Sequence, residues 1–349
     1  MLTLTDASKE TKLILKWAGI ILASLLVLVF AFRTLVLIKD TFFPTPPPKP
    51  TVLFGKISQP SFPASSVNKE LKFSIDTLTG ELPNLTDQIK VYKIETPKAD
   101  LLALKTIGEN VGAAGFENGP FKVSDELYFW TDSSGNFLKT IRVNIQNGNF
   151  TMFSPFYFNA GILSAKNLPK EKEAVNYAQR FLSNMNYLST DFDLSKTKTQ
   201  LISIQDGQLV GAISKASTHA YRINFYQKNV NNYPIFYEKP NESNINVIVA
   251  GDSSSSHVVR ATYILQKPSK ESSTYPIKTA KEAYEELKEG KAYIASFYGE
   301  SSNIKIKDVF LAYYIGSKIQ DYLYPIIILE GNDGFFAYLP AVRDEWINK

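Results

Sequence analysis

The sequence contains no cysteine, and its imidazole groups are limited to His219 and His257. Without cysteine the chain cannot form disulfides, thiolate metal sites or iron–sulfur clusters, and it has no thiol nucleophile. The phosphate-binding loop, the dinucleotide-binding fingerprint and the HExxH zinc motif are missing as well. These absences predict a protein that is not an enzyme and that has no catalytic, cofactor-binding or metal-ligating residues.

An excess of charge of one sign is also missing from most of the chain. The sequence has 38 basic and 34 acidic residues, of which residues 1–50 hold six basic and three acidic ones. The remaining 299 residues hold 32 basic and 31 acidic residues and are nearly neutral. A nucleic-acid-binding domain is expected to carry a basic face, so we expect no nucleic-acid partner.

One long apolar segment lies near the N-terminus, where Trp17–Phe32 contains no charged residue. A membrane-spanning helix needs about 20 apolar residues. Residues 13–38 supply them if Lys16 and Arg33 extend to the two membrane interfaces. The apolar region of a cleaved signal peptide is shorter and ends in a small-residue cleavage site. The segment therefore predicts a single-pass signal anchor in the lipid bilayer.

The anchor predicts the position of the rest of the chain. Three basic residues flank the segment on each side, so the positive-inside rule does not decide its orientation. A short tail and a long C-terminal region favour a cytoplasmic tail at 1–12 and a C-terminal region outside the cytoplasm. Five prolines between Pro44 and Pro50 predict a stiff polyproline II spacer within a proline-rich linker at 39–60.

The remaining chain combines strand and helix patterns. Turn residues separate pairs of alternating apolar segments, and such local connections favour antiparallel sheets. The turns are Ser133–Asn136, Asn147-Gly148, Asp206-Gly207, Asn231-Asn232 and Asn332-Asp333-Gly334. Helical spacing of apolar residues predicts helices near 98–111, at 171–188 and from Thr279, which forms a capping box with Glu282.

The two stronger helices begin with similar sequences about a hundred residues apart, which indicates a repeated unit. We therefore predict an α+β fold with one N-terminal transmembrane helix followed by tandem modules of a helix packed on an antiparallel β-sheet. A β-rich N-terminal extracytoplasmic domain is expected at 61–165. One helix-on-sheet module is expected at 166–270 and a second at 271–349.

The second half carries a recognisable pattern. Glu282-Ala283 begins a helix, a strand with Tyr313-Tyr314 follows, and Tyr324-Pro325 begins the next strand. Residues 170–345 resemble the extracytoplasmic domains of the YycH/YycI-type regulators of bacterial two-component systems and, more distantly, PepSY-like modules. The chain departs from that pattern at Leu339–Arg343, where relatives have an Asn-Ala-x-x-Gly ending. The resemblance implies a single-pass protein whose outer modules bind another protein, often a membrane kinase or a peptidase.

Two aromatic pairs are candidates for partner binding. Tyr313-Tyr314 and Phe335-Phe336 each place one ring on either side of a strand. One ring of each pair is expected in the core. The other is either an exposed anchor for a partner or the cover of a second layer.

Two other sets of residues are candidates for catalytic groups. Asp191 and Asp193 would point to the same side of a strand, but a solvated or capping role is the stronger expectation. The serines at 253–256 precede His257 without a nucleophile elbow, which argues against a serine hydrolase. His219 begins a strand, where packing or surface exposure is expected.

The sequence thus predicts a membrane-tethered, non-enzymatic extracytoplasmic interaction or regulatory protein that binds a protein partner in the membrane or envelope. One alternative is an envelope hydrolase that cleaves cell-wall polymer with two carboxylates. The other is an inert envelope scaffold without a specific partner.

Overall fold

A computed structural model describes residues 4–42, 48–65, 70–97, 100–165, 167–251 and 257–348. The chain divides into two compact units, Met1–Lys49 and Pro50–Lys349. The first unit contains helix α1 (Leu4–Phe42), which extends beyond both ends of the predicted segment 13–38. Its 21 residues Leu15–Leu35 are long and apolar enough to cross a membrane.

The polyproline spacer lies mostly outside the described residues, because 43–47 are among those that the structure does not describe. From Pro50 onward the chain belongs to the second unit. Ile57 is buried there, and the Val52 N–H donates to the Thr274 carbonyl oxygen at 3.0 Å. The second half of the predicted linker 39–60 is therefore part of the folded unit, because its apolar side chains pack into the core of that unit.

The second unit contains four helices and nineteen strands within its described residues. The helices are α2 (Ala103–Ala113), α3 (Ala160–Leu163), α4 (Glu171–Asn184) and α5 (Ala280–Lys288). The first ten strands are β1 (Ile57–Ser58), β2 (Lys72–Ile75), β3 (Gln88–Ile94), β4 (Asn118–Lys122), β5 (Leu127–Asp132), β6 (Lys139–Asn144), β7 (Phe150–Phe153), β8 (Lys198–Gln205), β9 (Gln208–Gly211) and β10 (Ala220–Asn224). The others are β11 (Ile235–Phe236), β12 (Ile245–Ala250), β13 (Val258–Tyr263), β14 (Pro268–Pro276), β15 (Tyr293–Ser296), β16 (Asn303–Tyr314), β17 (Tyr322–Gly331), β18 (Phe336–Pro340) and β19 (Ile347–Asn348).

The first sheet has nine antiparallel strands in the order β4-β5-β6-β7-β13-β12-β10-β8-β9. Helix α4 packs on one face of it through Ala174, Ala178, Phe181 and Leu182. Helix α2 adds its buried residues to the same core. The opposite face packs against α3 and the turn before it.

The second sheet has the order β11-β16-β17-β18-β15, with β2 paired to β16, β3 to β17 and β14 to β3. Helix α5 covers one face of this sheet. In this sheet the pairs β2–β16 and β11–β16 are parallel, and the other pairs are antiparallel. Strands β1 and β19 form a separate two-stranded parallel sheet. The mixed α+β fold with mainly antiparallel sheets is therefore confirmed.

Most of the predicted turns connect neighbouring strands. Asp206 and Gly207 have φ angles of 50° and 75°, as the tight β8–β9 hairpin requires. Asn231-Asn232 is the exception, because β10 does not pair with β11. Strand β11 instead leaves the first sheet and pairs in parallel with β16 of the second.

The predicted helices are present with shifted ends. The first begins at Ala103 rather than Lys98, and the second ends at Asn184. The predicted capping box of α5 is confirmed, since the Thr279 hydroxyl accepts the Glu282 N–H at 3.1 Å. Helix α5 ends at Lys288.

Strand pairing crosses both module boundaries that the sequence predicts. Strands β4–β7 of segment 61–165 share a sheet with β8–β10, β12 and β13 of segment 166–270. Strand β3, from segment 61–165, pairs with β14 and β17 instead. The segments share sheets because their strands pair over long sequence separations, which local patterns do not reveal.

One ion-pair network links α5 to its surroundings. The Lys278 side chain is 8% exposed and lies 2.9 Å from Glu286 and 2.8 Å from Asp344. Because the ammonium group is nearly excluded from water, both carboxylates are needed to offset its desolvation.

Candidate functional site

The four predicted aromatic residues lie on two faces of the second sheet. Tyr313 and Phe335 are buried in the core beneath α5. Tyr314 and Phe336 face the other side, where Tyr314 is buried and Phe336 is half-buried. Phe336 thus reaches the surface, whereas the other three rings are not accessible to a partner.

The second-layer alternative applies to Tyr314. The ring of Phe62 covers it with 4.8 Å between the ring centroids and also stacks on Tyr293 at 5.3 Å. The Tyr314 hydroxyl donates to the Ser61 carbonyl oxygen at 3.3 Å. Burial raises the pKa of Tyr314, so this hydroxyl keeps its proton.

The two candidate aspartates take structural roles. Burial alone would raise the pKa of the Asp191 carboxyl group. Hydrogen bonds from Lys267, at 2.6 Å, and from Ser189 outweigh burial, so the pKa of Asp191 is lowered. Asp193 caps a short 3-10 helix, and hydrogen bonds from Ser195 are the main cause of its lowered pKa. Both carboxylates are therefore held in their charged form.

The histidines also have structural contacts. His219 Nδ1 accepts the Ile204 N–H at 3.1 Å. The His257 ring lies 4.4 Å from the Tyr177 ring. The serines at 253–256 lie outside the described residues. Among the residues that the structure does describe, no group of three or more His, Asp or Glu side chains could hold a metal ion.

A cleft with a volume of about 1070 Å³ lies where the two sheets meet. Its walls are α2 and the β6–β7 turn on one side, and β3 and β14 on the other. Tyr187 and Tyr263 form its floor, with their rings perpendicular and 4.8 Å apart. Burial raises the pKa of Tyr187 to about 12 and also raises that of Tyr263.

The cleft presents neutral hydrogen-bonding groups that no neighbour uses. The hydroxyls of Tyr187 and Tyr263 make no hydrogen bond to other described residues. The same holds for the side chains of Thr106, Asn110 and Asn186. A ligand in the cleft would therefore meet several free, uncharged donors and acceptors.

Two ion pairs border the cleft. Lys93 lies 2.8 Å from Glu271, and Lys267 lies 2.6 Å from Asp191. The hydrogen bond that Lys93 donates to Glu271, and then the negative charge of that carboxylate, raise the pKa of Lys93. Each of these shifts moves the pKa of its group further from 7. The shifted groups Lys93, Asp191, Tyr187 and Tyr263 therefore keep their ordinary protonation states near pH 7.

The sequence did not indicate this cleft. Its polar groups come from α2, from the segment after α4 and from β13. No single motif joins these segments, and only the assembly of both sheets brings them together. A motif search has no local signal for such a site.

Neither the family models nor the curated proteins include a match to this chain. Among solved structures, it is similar to an uncharacterized protein from Eubacterium rectale ATCC 33656, at 11% identity and a TM-score of 0.36, over 78% of this chain and 88% of that one. It is also similar to the C-terminal domain of YpeB from Bacillus megaterium, at 11% identity and a TM-score of 0.34, over 71% of this chain and 95% of that one. Because both TM-scores are below 0.5, neither likeness supports a conclusion, and the resemblance to YycH/YycI-type regulators stays a prediction.

Proposed function

We propose that this protein is a membrane-tethered, non-enzymatic binding protein that takes up a segment of a membrane or envelope protein in the cleft above Tyr187 and Tyr263. The observation that carries the proposal is the set of unused neutral donors and acceptors on the cleft walls and floor.

An extended polypeptide fits this chemistry. Each of its residues offers a backbone N–H and a carbonyl oxygen that must find partners when water is displaced. Amide and hydroxyl side chains such as those of Asn110 and Thr106 supply both kinds of partner. The volume of about 1070 Å³ is at the upper limit for a small-molecule pocket and accommodates a segment of several residues.

The protonation states around the cleft favour binding over catalysis. A general acid or base works best when its pKa lies near the working pH. Here the pKa of Asp191 is lowered, and the pKa values of Lys93, Tyr187 and Tyr263 are raised. None of these four groups changes its protonation state near neutral pH.

The absence of cysteine from the sequence makes a clean crosslinking test possible. Thr106→Cys places a thiol on an exposed α2 position in the cleft, and Glu109→Cys places one on the same helix outside it. The full chain in its native membrane is modified with a benzophenone maleimide and irradiated. We expect a discrete protein adduct from Thr106→Cys, several-fold stronger than that from Glu109→Cys, and its loss when Asn110→Leu is added.

The same variants test the membrane side. On intact cells, a membrane-impermeant maleimide should label both cysteines if Pro50–Lys349 lies outside the cytoplasm. Labelling only after lysis would place this unit inside.

In the crosslinking test, equal adducts from Thr106→Cys and Glu109→Cys, or no adduct from either, would contradict the cleft as the binding site and leave the inert scaffold.

The hydrolase alternative has its own outcome. Glu95 and Asp100 are the carboxylates that line the cleft besides the ion-paired Glu271. Release of soluble fragments from wall polymer by the full chain, abolished by Glu95→Gln together with Asp100→Asn, would replace binding with hydrolysis.

A further inference from the structure

A second surface lies on the face of the second sheet opposite α5. We call it the Phe336 patch and define it by the rings of Phe236, Phe310 and Phe336 and the carboxylates of Asp308 and Glu330. Asp308 lies opposite Glu330 between β16 and β17, and Glu330 lies opposite Phe336 between β17 and β18. With Phe236 on β11, the patch therefore occupies four adjacent strands, β11, β16, β17 and β18.

The three rings form a continuous, half-buried layer. The Phe236 centroid lies 5.8 Å from that of Phe310 and 6.3 Å from that of Phe336. The rings pack against the fully buried Tyr338 and Ile328 on the same face of the sheet. Because these neighbours fill the space beside the rings, the accessible ring surface stays in place when a ligand binds.

The two carboxylates have no cationic partner within 4 Å in the described part of the chain. Burial, and then the adjacent Asp308, raise the pKa of Glu330. Lys307 is near enough to counter this in part, but it forms no ion pair with either carboxylate. A half-buried carboxylate beside a second one is stabilised by any cation that reaches both.

Other aromatic rings of this protein already have a cation over one face. The Arg142 Cζ lies 5.1 Å from the centroid of Phe153, and the Lys288 Nζ lies 5.1 Å from that of Tyr284. Within the described residues, no lysine or arginine occupies the equivalent position over a ring of the Phe336 patch. The patch thus offers both a cation–π surface and a negative charge to a cation from another molecule.

We infer that the Phe336 patch binds an arginine side chain presented by a partner polypeptide. A guanidinium group is planar and stacks on aromatic rings while its N–H fork donates to carboxylates. A lysine ammonium is a strongly hydrated point charge and gains less from the rings. This inference concerns a surface separate from the cleft and does not depend on what the cleft binds.

Saturation-transfer NMR tests the inference with small probes. The full chain in phosphatidylcholine nanodiscs is titrated with acetyl-arginine methylamide, its lysine counterpart and its uncharged citrulline isostere. We expect the arginine probe to bind roughly tenfold more tightly than the citrulline probe, with the lysine probe between them. Asp308→Asn and Glu330→Gln should each weaken arginine binding several-fold, and Phe310→Leu should reduce the preference for arginine over lysine.

Glu285→Gln is the matched control, because Glu285 is exposed on α5 on the other side of the sheet. Equal binding of the arginine and citrulline probes would overturn the inference, as would unchanged binding in both carboxylate variants. Tighter binding of acetyl-phenylalanine methylamide than of the arginine probe would make the patch an apolar docking surface instead. An unchanged near-ultraviolet circular dichroism spectrum shows that a variant is folded.

Discussion

Replacing Tyr313 and Tyr338 by phenylalanine should change the stability of the second unit in opposite directions. The Tyr313 hydroxyl donates to the Lys90 carbonyl oxygen at 2.7 Å. The Tyr338 hydroxyl is buried and has no partner among the described residues. Tyr313→Phe removes a hydrogen bond and deprives a carbonyl of its donor, so it should lower the free energy of unfolding by about 1–2 kcal/mol. Tyr338→Phe removes a hydroxyl that was desolvated without a bond and should raise it by up to about 1 kcal/mol.

Urea unfolding of the full chain in detergent, followed by near-ultraviolet circular dichroism, measures both changes. Tyr298→Phe is the control, because Tyr298 is 73% exposed and its replacement should change the free energy by less than about 0.5 kcal/mol. The slope against urea should be the same in all variants. If Tyr338→Phe destabilised the protein as much as Tyr313→Phe, the reasoning from the unpartnered hydroxyl would be refuted.

The same assay checks three further changes. Lys278→Ala should lower the free energy of unfolding by about 3 kcal/mol, because it leaves two carboxylates without their nearly buried cation. Lys288→Ala removes the cation of an exposed pair and should lower it by less than about 1 kcal/mol. Similar losses in the two variants would contradict the role of burial. Gly119→Ala should lower the free energy of unfolding by at least about 2 kcal/mol, because φ is +142° and an added Cβ would lie 2.7 Å from the indole ring of Trp130 on β5. An unchanged unfolding midpoint would show that the indole ring moves aside. Burial, and then Asp308, raise the pKa of Glu330 in the folded state. The unfolded chain therefore releases this proton at a lower pH than the folded chain does. Stability is lost as the pH rises from the ordinary pKa of about 4.5 through the raised pKa of the folded state. Glu330→Gln should therefore raise the unfolding midpoint at pH 7 and change it little at pH 4, and equal effects at both pH values would contradict the shift.

Features set by neighbouring residues were predictable from the sequence. The apolar helix follows from an uninterrupted run of apolar residues, and the Asp206-Gly207 hairpin follows from two residues that tolerate positive φ. The start of α5 follows from Thr279 and Glu282, which satisfy each other's backbone N–H groups. In each case the energetic preference is decided within one or two turns of chain.

Features set by distant pairing were not predictable. The side of the strand on which Tyr314 lies follows from alternation, but its burial depends on Phe62, more than two hundred residues earlier in the chain. The pairing of β11 with β16 of the second sheet could not be predicted from the local sequence, because a two-residue strand is too short to show a period of alternation. The cleft combines both difficulties, since its polar groups come from separate segments and belong to no motif.

The pairing of β3 delays the folding of this protein during its synthesis. Lys93 of β3 pairs with Tyr322 of β17, and roughly 230 residues separate the two strands. At about 5–20 residues per second, a ribosome needs about 10–45 s to add that length. Strand β14 can close one edge of β3 earlier, but until β17 is made the other edge remains open to other nascent chains. A chaperone that holds the half-made chain, or slower growth at low temperature, should therefore raise the yield of soluble second unit more than any change at its finished surface.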